Sequence, residues 1–153
     1  MKYTDAVIVL SEVPDNITLA INISNCPNHC PGCHSAYLAE DIGNELNKDS
    51  LRSLIESKPD ISCVSFMGGD SDPKLVIELA KWVKIHYPDL NTAWYTGKDH
   101  IEFSEDAWYS FDYIKVGPYI EELGPLNDPR TNQRMYHKNE SGDIIDITYR
   151  FRK

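Results

Sequence analysis

The sequence predicts a single-domain α/β protein built on a mostly parallel sheet with helices laid against it. Three observations carry this expectation. The chain has 153 residues, the size of one domain, and a chain of that length buries roughly 70% of its unfolded surface without needing covalent staples. Short β-branched runs alternate with amphipathic helical stripes, the order that yields a parallel sheet with helical crossovers. Four of the strands end at loops rich in Cys, Gly, Asp, Thr or Pro, and functional loops in such sheets gather at the C-terminal strand ends.

The elements follow in order. Ala6-Val7-Ile8-Val9-Leu10 is an apolar run suited to a short strand, closed by Pro14-Asp15-Asn16. Ile17 to Ile23 alternates Ile and Leu with period two and predicts a strand. It leads into a loop over residues 24–35 that is dense in Asn, Pro, Cys and His. Asp49 or Ser50 is a suitable cap for a helix carrying Leu51, Leu54 and Ile55 and ending near Lys58-Pro59. Ile61 to Met67 predicts a strand closed by Gly68-Gly69-Asp70. Asp72-Pro73 opens a helix with Leu75, Val76, Leu79, Ala80 and Val83 as its stripe, stopping before Pro88. Thr92 to Tyr95 and Asp112 to Val116 predict two more strands. The segment 119–153 reads as irregular, apart from a possible hairpin around Ser141-Gly142-Asp143.

Composition excludes several classes. Fifteen Lys and Arg against 24 Asp and Glu leave a net charge of −9, which opposes generic binding to nucleic acid. No stretch approaches the ~20 apolar residues of a membrane span. Met1-Lys2-Tyr3-Thr4-Asp5 lacks the basic and then apolar run of an export signal. Three of the four cysteines crowd together, which fits a metal site in a reducing, cytoplasmic compartment better than a disulfide framework.

That crowding is the most informative feature. Cys26-Pro27-Asn28-His29-Cys30-Pro31-Gly32-Cys33-His34 has C-x3-C-x2-C spacing. Three thiolates on a loop made compact by Pro and Gly can converge on one inorganic centre. Iron–sulfur clusters are held by thiolates and usually take four, so three leave one iron open. Cys26, Cys30 and Cys33 with His29 or His34 also fit a closed Cys3His zinc site, and unliganded packing is a third alternative. Cys63, mid-strand among Ile61, Val64 and Phe66, reads as a small buried hydrophobe. Gly68 and Gly69 let backbone approach a ligand closely, and Asp70 adds a carboxylate that accepts from an ammonium group; a plain turn is the alternative.

The Cys spacing after an early strand resembles the radical S-adenosylmethionine (SAM) superfamily. The Cys-Pro-Gly-Cys-His ending and the motifs that follow resemble, within it, the activating proteins of anaerobic ribonucleotide reductases. The likeness runs from about Ile17 to Tyr136. It implies a 4Fe-4S cluster on Cys26, Cys30 and Cys33, with SAM chelating the fourth iron through its amino and carboxylate groups. Gly68, Gly69 and Asp70 match the family's Gly-Gly-Glu or Gly-Gly-Asp segment, which binds the methionine amino group. Trp94-Tyr95-Thr96-Gly97 resembles a Tyr/Trp-Thr-Gly segment, in which the Tyr95 edge and the Thr96 hydroxyl can line the nucleoside; a core aromatic pair followed by a strand-terminating turn is the alternative. Thr131-Asn132-Gln133-Arg134 resembles a Ser-Asn-Gln-Arg segment, with Asn132 and Gln133 offering donors and acceptors and Arg134 a partner for a carboxylate; a loop stitched to the barrel by side-chain bonds is the equal alternative. The chain departs from the family's usual pattern upstream: it lacks a Gly-x-Arg and reads Ser24-Asn25-Cys26 where Ser-Gly-Cys is common.

The resemblance implies reductive cleavage of SAM to methionine and a 5′-deoxyadenosyl radical, which removes hydrogen from a glycine of the reductase and leaves a glycyl radical there. It implies two partners, the glycyl-radical subunit of the reductase and an electron donor such as a flavodoxin-like protein. With that role, the short chain implies a partial (incomplete) TIM-like (β/α) barrel, a single radical SAM domain over residues 1–153 left open toward a protein substrate. A radical SAM enzyme with another substrate and a zinc-stabilised interaction module are the alternatives.

Overall fold

The structure, a computed structural model, describes residues 1–28, 40–99 and 104–152. Eight strands form one sheet: β1 (Lys2–Val9), β2 (Thr18–Ile23), β3 (Asn44–Glu45), β4 (Cys63–Met67), β5 (Asn91–Tyr95), β6 (Tyr113–Val116), β7 (Arg134–Lys138) and β8 (Ile144–Asp146). Their spatial order is β3-β1-β2-β4-β5-β6-β7-β8. The four central strands are parallel, with Leu19 opposite Val64, Phe66 opposite Trp94 and Trp94 opposite Ile114. Both flanks are antiparallel. Those central strands are the ones whose sequences read most clearly as strands.

Both faces of the parallel centre are buried, which explains its near-continuous apolar sequence. Alternate residues divide between two cores. Leu19, Ile21, Ile23, Val64, Phe66, Trp94 and Ile114 meet the helices. On the opposite face, Cys63, Ala93, Tyr113 and Met135 pack with Val13, Leu126 and Ile147. Phe111 ties the helix side together, stacked on Trp94 at 5.5 Å between ring centres and edge-on to Phe66 at 6.2 Å.

Helix α1 (Lys48–Glu56) buries Leu51 and Ile55. Its cap is Asn47, not Asp49 or Ser50. The Asn47 side chain accepts from the Ser50 amide at 2.9 Å, and the Ser50 hydroxyl accepts from the Asn47 amide at 2.9 Å. Ser50 thus serves as the third-residue arm of a capping box whose first arm lies three residues earlier. Helix α2 (Pro73–His86) begins as its sequence indicates. Asp72 caps it, Pro73 opens it, and Val76, Leu79, Ala80 and Val83 are buried. Lys84 and Asp112 form an ion pair that fastens α2 to the start of β6, and the same carboxylate accepts from the Thr92 amide at 3.0 Å.

Three features depart from the expected outline. A third helix, α3 (Ser104–Ser110), precedes β6, and the two-residue strand β3 pairs with the start of β1. The C-terminal segment, read as irregular, supplies β7, β8 and a 3-10 turn over Thr148–Phe151. The hairpin around Ser141–Asp143 is present: the Asn139 amide donates to the Asp143 carbonyl at 2.9 Å. β7 sets Met135, its one fully buried side chain, among Arg134, His137 and Lys138, and β8 is only three residues long with Ile144 and Ile145 both exposed, so neither shows an alternating strand pattern. No helix among the described residues is long and apolar enough to cross a membrane.

Candidate functional site

The loops that follow β2, β4, β5 and β6 meet at one end of the parallel centre. Each brings a residue singled out by its motif. The approach to Cys26 is fixed first. Ser24 donates to the Lys2 carbonyl through its amide at 3.0 Å, and Asn25 donates to the Glu40 carbonyl at 2.9 Å. Asn25 sits at φ +61°, in the left-handed region that Asn tolerates and Gly prefers. That accounts for Asn25 standing where Gly is common in the resembling sequences.

Cys26 is half-buried and its thiol is free. The Asn28 side-chain amide lies 3.5 Å from Cys26 Sγ and 2.5 Å from Asp70 Oδ2. Asp70 is 8% exposed. Its carboxylate also accepts from the Gly97 amide at 2.8 Å and from the Thr96 hydroxyl at 2.5 Å. Among the described residues, three donors from two loops therefore converge on it. An ionised carboxylate offers about four acceptor positions, so one is left for a ligand donor.

The two glycines before Asp70 have a structural cause. Gly68 and Gly69 sit at φ +113° and +92°, and a Cβ on Gly69 would meet Val76 Cγ2 at 2.3 Å. The chain must turn tightly there because α2 starts three residues after Asp70 and packs directly beneath the turn. The Gly68 carbonyl accepts from the Trp94 indole at 2.8 Å, which holds the turn against β5.

Thr96 is buried, and its hydroxyl accepts from the Lys98 amide at 3.2 Å while donating to Asp70. Gly117 donates to the Lys98 carbonyl at 2.6 Å, joining the loop after β6 to the same group. Asn132 lies beside it: its amide donates to the Pro118 carbonyl at 3.0 Å. The Asn132 Oδ1 is buried and has no hydrogen-bond partner among the described residues. A buried acceptor left unpaired carries a desolvation cost of about 1–3 kcal/mol that a ligand donor would recover.

Tyr95 is not gathered with Asp70 and Thr96. It lies on the face opposite the helices, against the cluster containing Cys63 and Met135. Its hydroxyl donates to the Glu12 carbonyl, and burial pushes its pKa above the ordinary phenol value. The Lys115 ammonium stands 5.7 Å from its ring centre and donates to the Gly117 carbonyl at 3.0 Å. Arg134 pairs with Asp146 at 3.8 Å across the β7–β8 hairpin. Cys63 lies at the start of β4, whereas Cys26 follows the far end of β2. It is fully buried, and desolvation pushes its thiol up to about 12, which keeps it protonated and unsuited to bind metal. Cys30, Cys33, His29 and His34 lie outside the described residues. An open cavity of about 600 Å³ lies elsewhere, lined by Trp108, Tyr109, Lys138 and Ile144 between α3 and the β7–β8 hairpin.

The donor set fits a cluster-binding thiolate. Cys26 is free and accessible, a donor N–H faces its sulfur, and the turn beside it is open enough to keep that donor in place. A Cβ on Gly97 would meet Asn28 Nδ2 at 2.6 Å, so the absence of a side chain there is what makes room for Asn28. Asn28 is the member of this hydrogen-bonded group that sequence reasoning missed. Its position between two cysteines is visible in the sequence, but its contact with Asp70 spans 42 residues.

Comparison with known proteins agrees with this geometry at the level of the cofactor. No curated protein and no solved structure gives a significant match to the chain. A family model described as a 4Fe-4S single cluster domain matches residues 17–135. That span runs from the entry to β2 through the second residue of β7 and contains every site residue placed above. The chain belongs to the family of 4Fe-4S single cluster domains.

Proposed function

We propose that this chain is a SAM-dependent activating enzyme that installs a glycyl radical on anaerobic ribonucleotide reductase. The observation that carries the proposal is the hydrogen-bonded line from Cys26 through Asn28 and Asp70 to Thr96, at the C-terminal ends of parallel strands. It joins the cluster loop directly to the carboxylate that suits an ammonium group.

Cys26, Cys30 and Cys33 would hold the 4Fe-4S cluster, and three protein ligands leave one iron available to a substrate. When bound, the cluster supplies the electron that cleaves the SAM sulfonium. The chain's own residues do the rest. Asp70, anchored by Thr96, Gly97 and Asn28, keeps one acceptor position for the methionine ammonium, where a charge-assisted hydrogen bond is stronger than a neutral one. Asn132 Oδ1 offers an acceptor to a ligand donor. Gly68 and Gly69 keep the turn short and free of side chains next to that position. Tyr95 supports the opposite face of β5, so a nucleoside contact would come from Thr96 and its backbone more than from the phenol.

In this reading the mixed sheet is an incomplete (β/α) barrel whose open side admits the glycine loop of the reductase. The electron donor is a flavodoxin-like protein, and the compartment is the cytoplasm. Anaerobic incubation of the reconstituted protein with the reductase, SAM and a reductant tests the proposal. A glycyl-radical signal in electron paramagnetic resonance on the reductase is the expected result. SAM cleavage with no radical on the reductase would assign the chain to another substrate. A colourless protein with one bound zinc would replace the enzyme by a zinc-stabilised interaction module.

A further inference from the structure

We infer that Asn28 is a positioning residue that tunes the cluster, donating one side-chain N–H to the Cys26 thiolate and the other to Asp70. The inference rests on the reading of Cys26 as a cluster ligand. A carboxamide nitrogen carries two hydrogens, and the two acceptors lie on different loops: Cys26 Sγ at 3.5 Å after β2, and Asp70 Oδ2 at 2.5 Å after β4. The assignment of nitrogen rather than oxygen to this end follows from the acceptors. A carboxylate and a thiolate both require a donor.

The group is held from three sides. Asp70 is itself fixed by the Thr96 hydroxyl and the Gly97 amide. Asn25 and Ser24 pin the backbone just before Cys26. The bare Cα of Gly97 provides the space in which the carboxamide sits, since a Cβ there would reach Nδ2 at 2.6 Å and the carboxamide carbon at 3.1 Å. An amide oriented in this way is ready before the metal arrives.

The consequence concerns electron affinity. Reduction adds negative charge to the cluster and its sulfurs, and a donor N–H pointing at a ligating sulfur stabilises that charge. Hydrogen bonds to the sulfurs are one of the factors that set iron–sulfur potentials. Asn28 therefore raises the reduction potential above the value the same three thiolates would give alone. Asp70 aims the donor, so the loop that is suited to receive the substrate ammonium also holds the hydrogen bond that sets the potential.

The test uses the anaerobically reconstituted full chain without SAM, titrated electrochemically while the reduced cluster is followed by electron paramagnetic resonance. Asn28→Leu keeps the branching at Cγ and removes both donors. Gly97→Ala leaves Asn28 in the sequence and displaces its carboxamide. Both variants are expected to keep their iron and sulfide and to shift the midpoint to more negative potential, with the shift smaller in Gly97→Ala. An unchanged midpoint in Asn28→Leu with full iron content overturns the inference. If Asn28→Leu loses its cluster, the Gly97→Ala midpoint decides, and no shift there overturns it as well. Retention of a full cluster in Cys26→Ala overturns both this inference and the ligand assignment. If the two variants show these shifts but the wild-type protein does not bind SAM, the role of Asn28 stands and the activating-enzyme reading is overturned.

Discussion

Thr96, the first residue after β5, donates its hydroxyl to Asp70, the third residue after β4, and the pair is buried. Two loops that the sequence places 26 residues apart are thereby locked at one carboxylate. The arrangement has the pre-organisation a binding site needs, since the carboxylate is oriented before any ligand arrives. Its energetic stakes are correspondingly high. Removing one partner of a buried, charged hydrogen bond leaves the other unsatisfied.

Thr96→Val keeps the shape and removes the donor. Its expected effect is a loss of about 1.5–3 kcal/mol in stability and weaker SAM binding, with Thr96→Ser restoring most of both. Thermal unfolding and equilibrium binding of the reconstituted protein check it. A variant with unchanged stability and affinity would show that the Thr96–Asp70 contact carries nothing.

Gly69→Ala places a Cβ 2.3 Å from Val76 Cγ2 at a backbone φ of +92°. A loss of about 1–3 kcal/mol is expected from the strained conformation alone, with the clash in addition. The double change Gly69→Ala with Val76→Ala should remove the contact yet leave the backbone strain. Denaturant unfolding of the single and double variants separates the two contributions.

Cys63 gives the chain an alkaline limit. Its thiol rises from an ordinary 9.0 to about 12 through burial. The unfolded state therefore releases this proton above pH 9 while the folded state keeps it until about 12. Stability from this group is fully present below pH 9 and falls between pH 9 and 12, at up to about 1.4 kcal/mol per pH unit. Cys63→Ala should flatten that decline. Iodoacetamide at neutral pH should label Cys26 in the folded apoprotein and reach Cys63 only on unfolding.

Asn132 separates two roles by sign. Its Oδ1 is buried without a partner among the described residues, so Asn132→Ala relieves an unsatisfied acceptor while losing the bond to the Pro118 carbonyl. Near-neutral stability with SAM binding weakened about tenfold is the outcome expected of a ligand acceptor. Unchanged binding would make Asn132 a strut of the loop that precedes β7.

The extent to which this was legible in the sequence follows from burial. Thr18–Ile23, Cys63–Met67, Asn91–Tyr95 and Tyr113–Val116 are mostly buried on both faces and rich in apolar residues, so each stands out as a run whose limits fall within one or two residues of the observed strand. The start of α2 was readable because Asp72 and Pro73 act locally. Strand β7 was hidden by its Arg, His and Lys, β8 by its three-residue length without alternation, and β3 is a two-residue strand defined by its pairing with Lys2 and Tyr3. At the site, Cys26, Asp70 and Thr96 were visible as motif residues at strand ends. The two-sided contact of Asn28 was not, because through-space donors leave no spacing to read. Tyr95 showed the reverse difficulty, since motif position alone does not say which face of a strand a side chain takes.

The central claim is that Cys26, Cys30 and Cys33 hold a 4Fe-4S cluster that acts on SAM. The most direct measurement is iron and sulfide analysis of anaerobically purified protein, followed by reduction in the presence of SAM and quantitation of 5′-deoxyadenosine. The account predicts a brown protein with about four irons and four sulfides per chain. It also predicts formation of 5′-deoxyadenosine that is lost in each of the Cys26→Ala, Cys30→Ala and Cys33→Ala variants and retained in Cys63→Ala. A protein holding one zinc and no sulfide, or a cluster that survives loss of any of the three cysteines, would contradict it.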